Sequence, residues 1–265
     1  MDNFSFNRDE YLKRINFNGR ISDNFEFLKS IHRAQHRTIP FENFDICLGR
    51  NINLEPDVLV EKMVKNKRGG YCSELNGLFL LALKSFGFEA RTLLGRVHLK
   101  GKPTGRGHRV TLVTIEGEKW LVDTGFGVDT PPVPIPLTCD RPVSFEDQTF
   151  RLKESSLYGF MLQSKHDTDW KNLYSFDLNH VCAGDIEYGN YFTSTHPRSF
   201  FVSSRVAALP VENGMISLFN MELKKRINGK EEKIFLEAGE SYIHVLEQEF
   251  GIVLDAKYED LKPLD

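Results

Sequence analysis

No apolar run in this chain reaches the length that spans a bilayer. The opening residues, MDNFSFNRDEYLKRI, mix acids and bases without an apolar stretch of signal-peptide length. The expectation is a cytoplasmic protein with no membrane partner. A charge excess is missing too: 34 Lys and Arg stand against 37 Asp and Glu, for a formal net charge of −3. That balance gives no bulk attraction to nucleic acid and favours a small or neutral partner. Cysteine is scarce and unpatterned. Cys47, Cys72, Cys139 and Cys182 form neither a C-x-x-C pair nor a Cys/His zinc pattern. No disulfide framework and no metal are expected, and a reducing location keeps the thiols free. Repeats and low-complexity linkers are also absent, so any domains pack against one another. What the 265 residues do hold is 40% hydrophobic side chains, including 21 phenylalanines, enough for a sizeable core and for rings that wall a pocket.

Apolar residues at helical spacing mark segments 9–17, 23–37 and 57–66, the last with Pro56 at a natural first-turn position. The clearest helix follows Cys72, where Leu75, Leu78, Phe79, Ala82 and Leu83 fall at i, i+3, i+4, i+7 and i+8, and Gly87 ends it. From about residue 89 the period becomes two. EARTLLGRV, HRVTLVTI and EKWLVD read as strands, the last two joined through Glu116-Gly117 as a hairpin. Five prolines between 125 and 145 suit a wandering loop. FRLKE, YGFMLQSK, FFVSSRVAAL and ISLFNMELKKRI then alternate like strands, Asn228-Gly229 marks a two-residue hairpin turn, and SYIHVLEQEF closes the chain as a helix that stops at Gly251.

Cys72 stands directly behind Gly69-Gly70-Tyr71 and at the start of the apolar helix. A free thiol with a pKa near ~8.5 is mostly protonated at neutral pH, and the thiolate is the nucleophile. A helix N-terminus supplies only ~0.3–1 kcal/mol toward ionising it. A strong partner is needed, and an imidazole backed by a carboxylate is the partner that works. If Glu116-Gly117 forms a two-residue loop, Asp123 lies across from Val110 and diagonal to His108, within side-chain reach. A three-residue loop turns Asp123 to the other face. Alone, each residue has a plainer reading: Cys72 as core packing, His108 as an ordinary strand residue, Asp123 as a turn former. Together, a helix-start Cys, a strand-start His and a strand-end Asp make an order seen in papain-like and transglutaminase-like enzymes. His32 and His36 lack the glutamate of H-E-x-x-H, and the Lys65–Gly70 run does not match a phosphate-binding loop, reading instead as a basic helix end before a turn. Lys224, Lys225 and Arg226 read as a solvated hairpin tip.

Five separated segments carry a resemblance: IHRAQHRTIPFENFDI (31–46), RGGYCSELNGLFLLALKSFGF (68–88), GHRVTLV (107–113), LVDTGFG (121–127) and YFTSTHPRSFF (191–201). In that order, over nearly the full length, they resemble the arylamine N-acetyltransferases. The resemblance implies an α+β fold with a cysteine-protease/transglutaminase-like catalytic core: a helical bundle over 1–88 with the catalytic Cys72, a β-barrel over 89–195 with His108 and Asp123, and an α/β lid over 196–265. It implies ping-pong transfer of acetyl from acetyl-CoA, the co-substrate, through a Cys72 thioester to an arylamine, hydrazine or N-hydroxyarylamine, without a metal. It also implies coenzyme A contacts at Thr104, Gly105 and Gly107 and at Tyr191, Ser194, Thr195 and Ser199, and an acceptor pocket walled by Phe41 and Phe126. Thr124 stands where an aliphatic residue is more usual, and Tyr71 and Ser73 are unusual flanks for the cysteine. A cysteine amidase or transglutaminase-like hydrolase is the enzymatic alternative, and a non-catalytic binder of aromatic ligands is another.

Overall fold

Asn7 starts the first helix, α1 (Arg8–Arg14), by accepting from the N–H groups of Asp9 and Glu10, and Asn24 starts α2 (Phe25–Thr38) in the same way through Phe27. The computed structural model describes residues 4–264. A two-residue strand, β1 (Phe41–Glu42), and a single turn, α3 (Phe44–Cys47), precede α4 (Pro56–Val60), whose coil widens to π-type turns over Glu61–Lys65. Then comes α5 (Cys72–Ser85), with Gly87 beyond its end at φ +94°. Leu75, Leu78, Phe79, Ala82 and Leu83 are all buried, packed with Tyr11, Phe27, Leu28 and Ile31 in the first core. The helical stripe seen in the sequence is therefore the face that packs.

Eight antiparallel strands follow: β2 (Glu89–Val97), β3 (His108–Ile115), β4 (Glu118–Val122), β5 (Ile135–Pro136), β6 (Val143–Phe145), β7 (Gln148–Ser155), β8 (Gly159–His166) and β9 (Asp169–Phe176), ordered β5-β4-β3-β2-β9-β8-β7-β6. Ile135 and Leu152 share one buried cluster, and a bridge joins Cys139 to Leu152, so the sheet curls nearly closed around Leu93, Val110, Leu112, Phe150, Leu162 and Tyr174. The proline-rich stretch is not all loop, since it supplies β5 and β6.

The chain then forms α6 (Ala183–Thr195), a helix that periodicity does not predict, and α7 (Phe200–Ser203). FFVSSRVAAL is thus a helical turn before β10 (Val206–Val211), not one strand, because the Ser199 side chain accepts from Phe201 N–H and caps the turn. ISLFNMELKKRI splits into β11 (Gly214–Phe219) and β12 (Glu222–Ile227) at Asn220, whose φ is +54°. β13 (Lys230–Phe235) returns through Asn228-Gly229, and α8 (Glu240–Phe250) ends at left-handed Gly251. The second sheet runs β1-β10-β11-β12-β13, so a strand from the first fifth of the chain edges a sheet made by the last quarter. Among the described residues, no helix is long and apolar enough to cross a membrane.

Candidate active site

The approach to Cys72 is fixed by close packing and by buried charge. A Cβ on Gly69 would stand 2.2 Å from the Pro40 carbonyl oxygen, so only glycine lets the chain pass there. Arg68 reads in the sequence as part of a basic helix end, yet it is buried. Its guanidinium donates to Glu42 through Nε (3.1 Å) and Nη2 (2.9 Å) and reaches Asp45 at 3.2 Å. Lys62 joins Asp45 (2.6 Å) to Glu74 (2.7 Å), and Glu74 accepts from Tyr71 N–H at 3.1 Å. Three carboxylates and two cations thus hold the first turn of α5. Cys72, at its first position, is 6% exposed, and its sulfur lies 3.9 Å from the Gly107 carbonyl.

The hairpin register brings the other two groups in. Ile115 pairs with Glu118 across a two-residue turn, with Glu116 and Gly117 both at positive φ, and Thr111 pairs with Val122. His108 Nε2 therefore meets Asp123 Oδ2 at 2.7 Å, leaving Nδ1 as the ring's second nitrogen. Burial favours the neutral ring, but the Asp123 charge and hydrogen bond win, with Cys72 beside the ring adding to them, and His108 is held at about 10. Burial likewise opposes the Asp123 carboxylate. The His108 charge and bonds from His108, Asn76 and Gly125 N–H outweigh it and hold the carboxyl below its usual range.

Asn76 lies one helical turn beyond Cys72, on the same side of α5. Its Nδ2 donates to Asp123 Oδ1 (2.9 Å) and to the Arg109 carbonyl (2.7 Å), and its Oδ1 accepts from Thr124 N–H (2.9 Å). Thr124, the departure noted in the sequence, accepts from Gln35 Nε2 at 2.9 Å, and Gln35 accepts in turn from Tyr11 at 2.8 Å. The hydroxyl is therefore a link in the brace behind Asp123, which an aliphatic residue could not be. His32 Nε2 lies 2.9 Å from the Asp123 carbonyl oxygen. Burial holds His32 and His36 at about 4 and about 3, so both rings are neutral core groups. Among the described residues, no three His, Cys, Asp or Glu side chains converge to hold a metal ion.

Rings close over the pair. Phe126 meets the His108 ring edge-on at 4.7 Å and Tyr174 packs on it at 4.6 Å, the Tyr174 hydroxyl buried without a hydrogen-bond partner among the described residues. Phe41 is 5.9 Å from Phe201, which also meets Tyr71 at 5.8 Å, and the Tyr71 hydroxyl donates to Asn190 of α6. Gly107 is covered by α6, where a Cβ on Gly189 would touch Gly107 Cα at 3.3 Å. Cys72, His108, Asp123, Gly107 and Phe126 thus come together. Thr104 and Gly105 are exposed, with Thr104 Oγ1 accepting from Val97 N–H at 3.0 Å. Tyr191 is 72% exposed on α6. Ser194, Thr195 and Ser199 donate to the carbonyls of Asn190, Tyr191 and Thr193, so these hydroxyls serve the local backbone. Asn76, Gln35, Tyr174 and the Arg68 network are absent from the sequence reading. Only Asn76 offered a signal, as a polar residue one turn from Cys72 on an otherwise apolar face.

The chain resembles known proteins along most of its length. A family model described as N-acetyltransferase matches residues 24–258. The chain is 36% identical over 257 residues to the arylamine N-acetyltransferase of Escherichia coli, covering 94% of this chain and 90% of that protein. It is 36% identical over 240 residues to the arylamine N-acetyltransferase / N-hydroxyarylamine O-acetyltransferase of Salmonella typhimurium, covering 88% and 84%. The structure of Mycobacterium marinum arylamine N-acetyltransferase in complex with CoA superposes with a TM-score of 0.87 at 33% identity, over 93% of each chain.

Proposed function

This chain belongs to the arylamine N-acetyltransferases, acetyl-CoA-dependent acyltransferases, and from that premise we propose that Cys72, His108 and Asp123 carry the transfer. The observation that supports these roles is the 2.7 Å His108–Asp123 pair set beside a cysteine at the start of α5.

In the first half-reaction the Cys72 sulfur attacks the carbonyl carbon of acetyl-CoA. The new S–C bond forms as the bond to the coenzyme sulfur breaks, and His108, charged through its bond to Asp123, gives the departing thiolate its proton. One thioester replaces another, so little energy is lost and the acetyl group stays activated. In the second half the amine nitrogen attacks the Cys72 thioester, His108 takes the proton the nitrogen sheds, and the C–S bond breaks to restore the cysteine. The Cys72 N–H, at the first helical position and without an intrahelical acceptor, is the assigned donor to the oxyanion of each tetrahedral intermediate. Membership of the N-acetyltransferase family favours this reading over the hydrolase alternative.

Phe41 and Phe126 wall the acceptor pocket in this reading, where flat rings stack on an aromatic amine, and hydrazines and N-hydroxyarylamines fit the same chemistry. Thr104, Gly105 and Gly107 face coenzyme A, with the 191–199 face opposite them. There Tyr191 supplies a ring, while the bonded hydroxyls of Ser194, Thr195 and Ser199 shape the backbone. The division into a helical bundle (1–88), barrel (89–195) and lid (196–265), and a cytoplasmic location for the free thiols, complete the proposal. Intact-mass measurement after incubation with acetyl-CoA tests it: one acetyl group is expected on the wild type and none on Cys72→Ala. An unmodified wild type would refute the thioester.

A further inference from the structure

Between β2, β9 and the residues leading into β3 lies a cavity of about 220 Å³, lined among others by Leu94, Arg96, Arg106, Tyr158 and Asp177. Gly95 pairs with His108 while Arg96 pairs with Ser175, so strand alternation turns Arg96 to the reverse face of the sheet from the catalytic ring. The two sites meet at one short stretch, where Arg106 lines the cavity and the carbonyl of Gly107 touches the Cys72 sulfur.

The cavity has many donors and few acceptors. Each guanidinium offers five N–H groups. Among the described residues, Arg96 makes a single bond, at 3.5 Å, to the Thr104 carbonyl. Arg106 gives one bond to Asp177 Oδ1 at 3.1 Å, and its Nε is buried with no acceptor among the described residues. Asp177 Oδ1 is already shared with Asn179 N–H at 3.0 Å. Lys100 and Lys102 stand on the same connection, and among the described residues neither has a carboxylate within 4.0 Å. Four cations, Arg96, Lys100, Lys102 and Arg106, therefore stand within one short stretch, and the carboxylate paired with Arg106 is the partly exposed Asp177.

We propose that Arg96 and Arg106 form a phosphate subsite in which Asp177 holds the place of the anion until the ligand displaces it. Planar guanidinium groups bind phosphate oxygens in pairs, and Tyr158 and Leu94 supply apolar surface for whatever carries the phosphate. The assignment rests on the reading that residues 104–107 face coenzyme A, whose phosphates are one source of the anion. Free phosphate or nucleotide is the other.

The test compares KM for acetyl-CoA with KM for the phosphate-free thioester S-acetyl-N-acetylcysteamine in the full chain, and titrates inorganic phosphate into the same proteins by calorimetry. With Arg96→Gln/Arg106→Gln, the KM for acetyl-CoA is expected to rise ~10-fold more than that for the phosphate-free donor. Asp177→Asn removes the competitor and is expected to shift the same ratio the opposite way. An unchanged ratio with phosphate binding that the double variant abolishes assigns the site to a free phosphate. An unchanged ratio and no phosphate binding in the wild type overturns the proposal. Acetylation of Cys72 by the phosphate-free donor reports on the catalytic reading alone, so the two fail separately.

Discussion

At the scale of single residues, the proposed reaction depends on which nitrogen of His108 holds a proton. Asp123 accepts at Nε2, which in the proposed mechanism leaves the other nitrogen to serve the cysteine. An amide in place of the carboxylate keeps the shape but stabilises the wrong tautomer and cannot balance the ring's charge. Asp123→Asn is expected to lower the rate of acetyl uptake by ~10³–10⁴-fold while the fold persists. Rapid-quench mass measurement of the adduct reads this, and a rate within tenfold of wild type contradicts the orienting role. The same pair makes stability depend on pH. His108 is raised to about 10 from an ordinary value near ~6.5, so its contribution is complete below the lower figure and is lost as pH climbs through the upper one. Asp123 is shifted the other way, and its contribution is lost only as pH falls below the usual carboxylate range. Urea midpoints measured from pH 7 to 10.5 should fall more steeply for wild type than for His108→Gln. Parallel curves would show that the ring is not cationic in the folded protein.

At the scale of elements, α5 is useful because its start is immobilised from outside. Removing the Arg68 side chain leaves Glu42, which is fully buried, without its counter-charge. Arg68→Ala is expected to cost ~3–5 kcal/mol in urea unfolding, whereas replacing Arg68 and Glu42 together by apolar residues of similar volume is expected to cost much less. Equal losses in the two variants would mean that the ion pair is incidental to the packing. This is also where the sequence stops being informative. α5 is legible because its apolar stripe is the face that packs, and the β3–β4 hairpin is legible because Glu116-Gly117 accepts positive φ, which sets the register that joins His108 to Asp123. α6 is not legible, since Tyr188 and Tyr191 point outward and Ser194 is the one buried residue of the helix. Its coil is set instead by the Asp185 side chain accepting from Cys182 N–H and by the seat of Gly189 on Gly107. Phe200 and Phe201 lend strand-like hydrophobicity to a segment that a serine cap turns into a helix. The Arg68 network and the Asn76 brace depend on partners far away in sequence, and no local pattern announces them.

At the scale of the whole molecule, Cys72 is tied to strands that follow it by well over a hundred residues. Glu42 accepts from Phe44 N–H and binds Arg68, while Phe41 and Glu42 pair with Ala208 and Ala207. Asn43 stitches the same place, its Nδ2 donating to the carbonyls of Phe201 (2.8 Å) and Ser204 (2.7 Å) and its Oδ1 accepting from Val206 N–H (2.8 Å). Phe44 and Cys47 then enter a core otherwise built from Ala207, Leu218, Leu223, Tyr242, Leu246 and Phe250. Residues 40–47 therefore belong to the C-terminal sheet by packing and to the Cys72 approach by charge. A chain cut after residue 195 keeps Cys72, His108 and Asp123 but strips the cover from Phe44, frees the edge of β1 and removes every acceptor of Asn43 Nδ2. Each loss falls on the segment that positions Arg68 and Gly69, so such a chain is expected to take up no acetyl group. In the intact protein, unfolding in urea should be one transition. The fluorescence of Trp120 and Trp170, both in the eight-stranded sheet, should change at the denaturant concentration where peptide-resolved alkylation first finds Cys47, buried in the C-terminal core, accessible. Alkylation of Cys47 well before the tryptophan signal moves would show that residues 40–47 leave the C-terminal core independently of the eight-stranded sheet, and the truncated chain would then be expected to retain acetyl uptake.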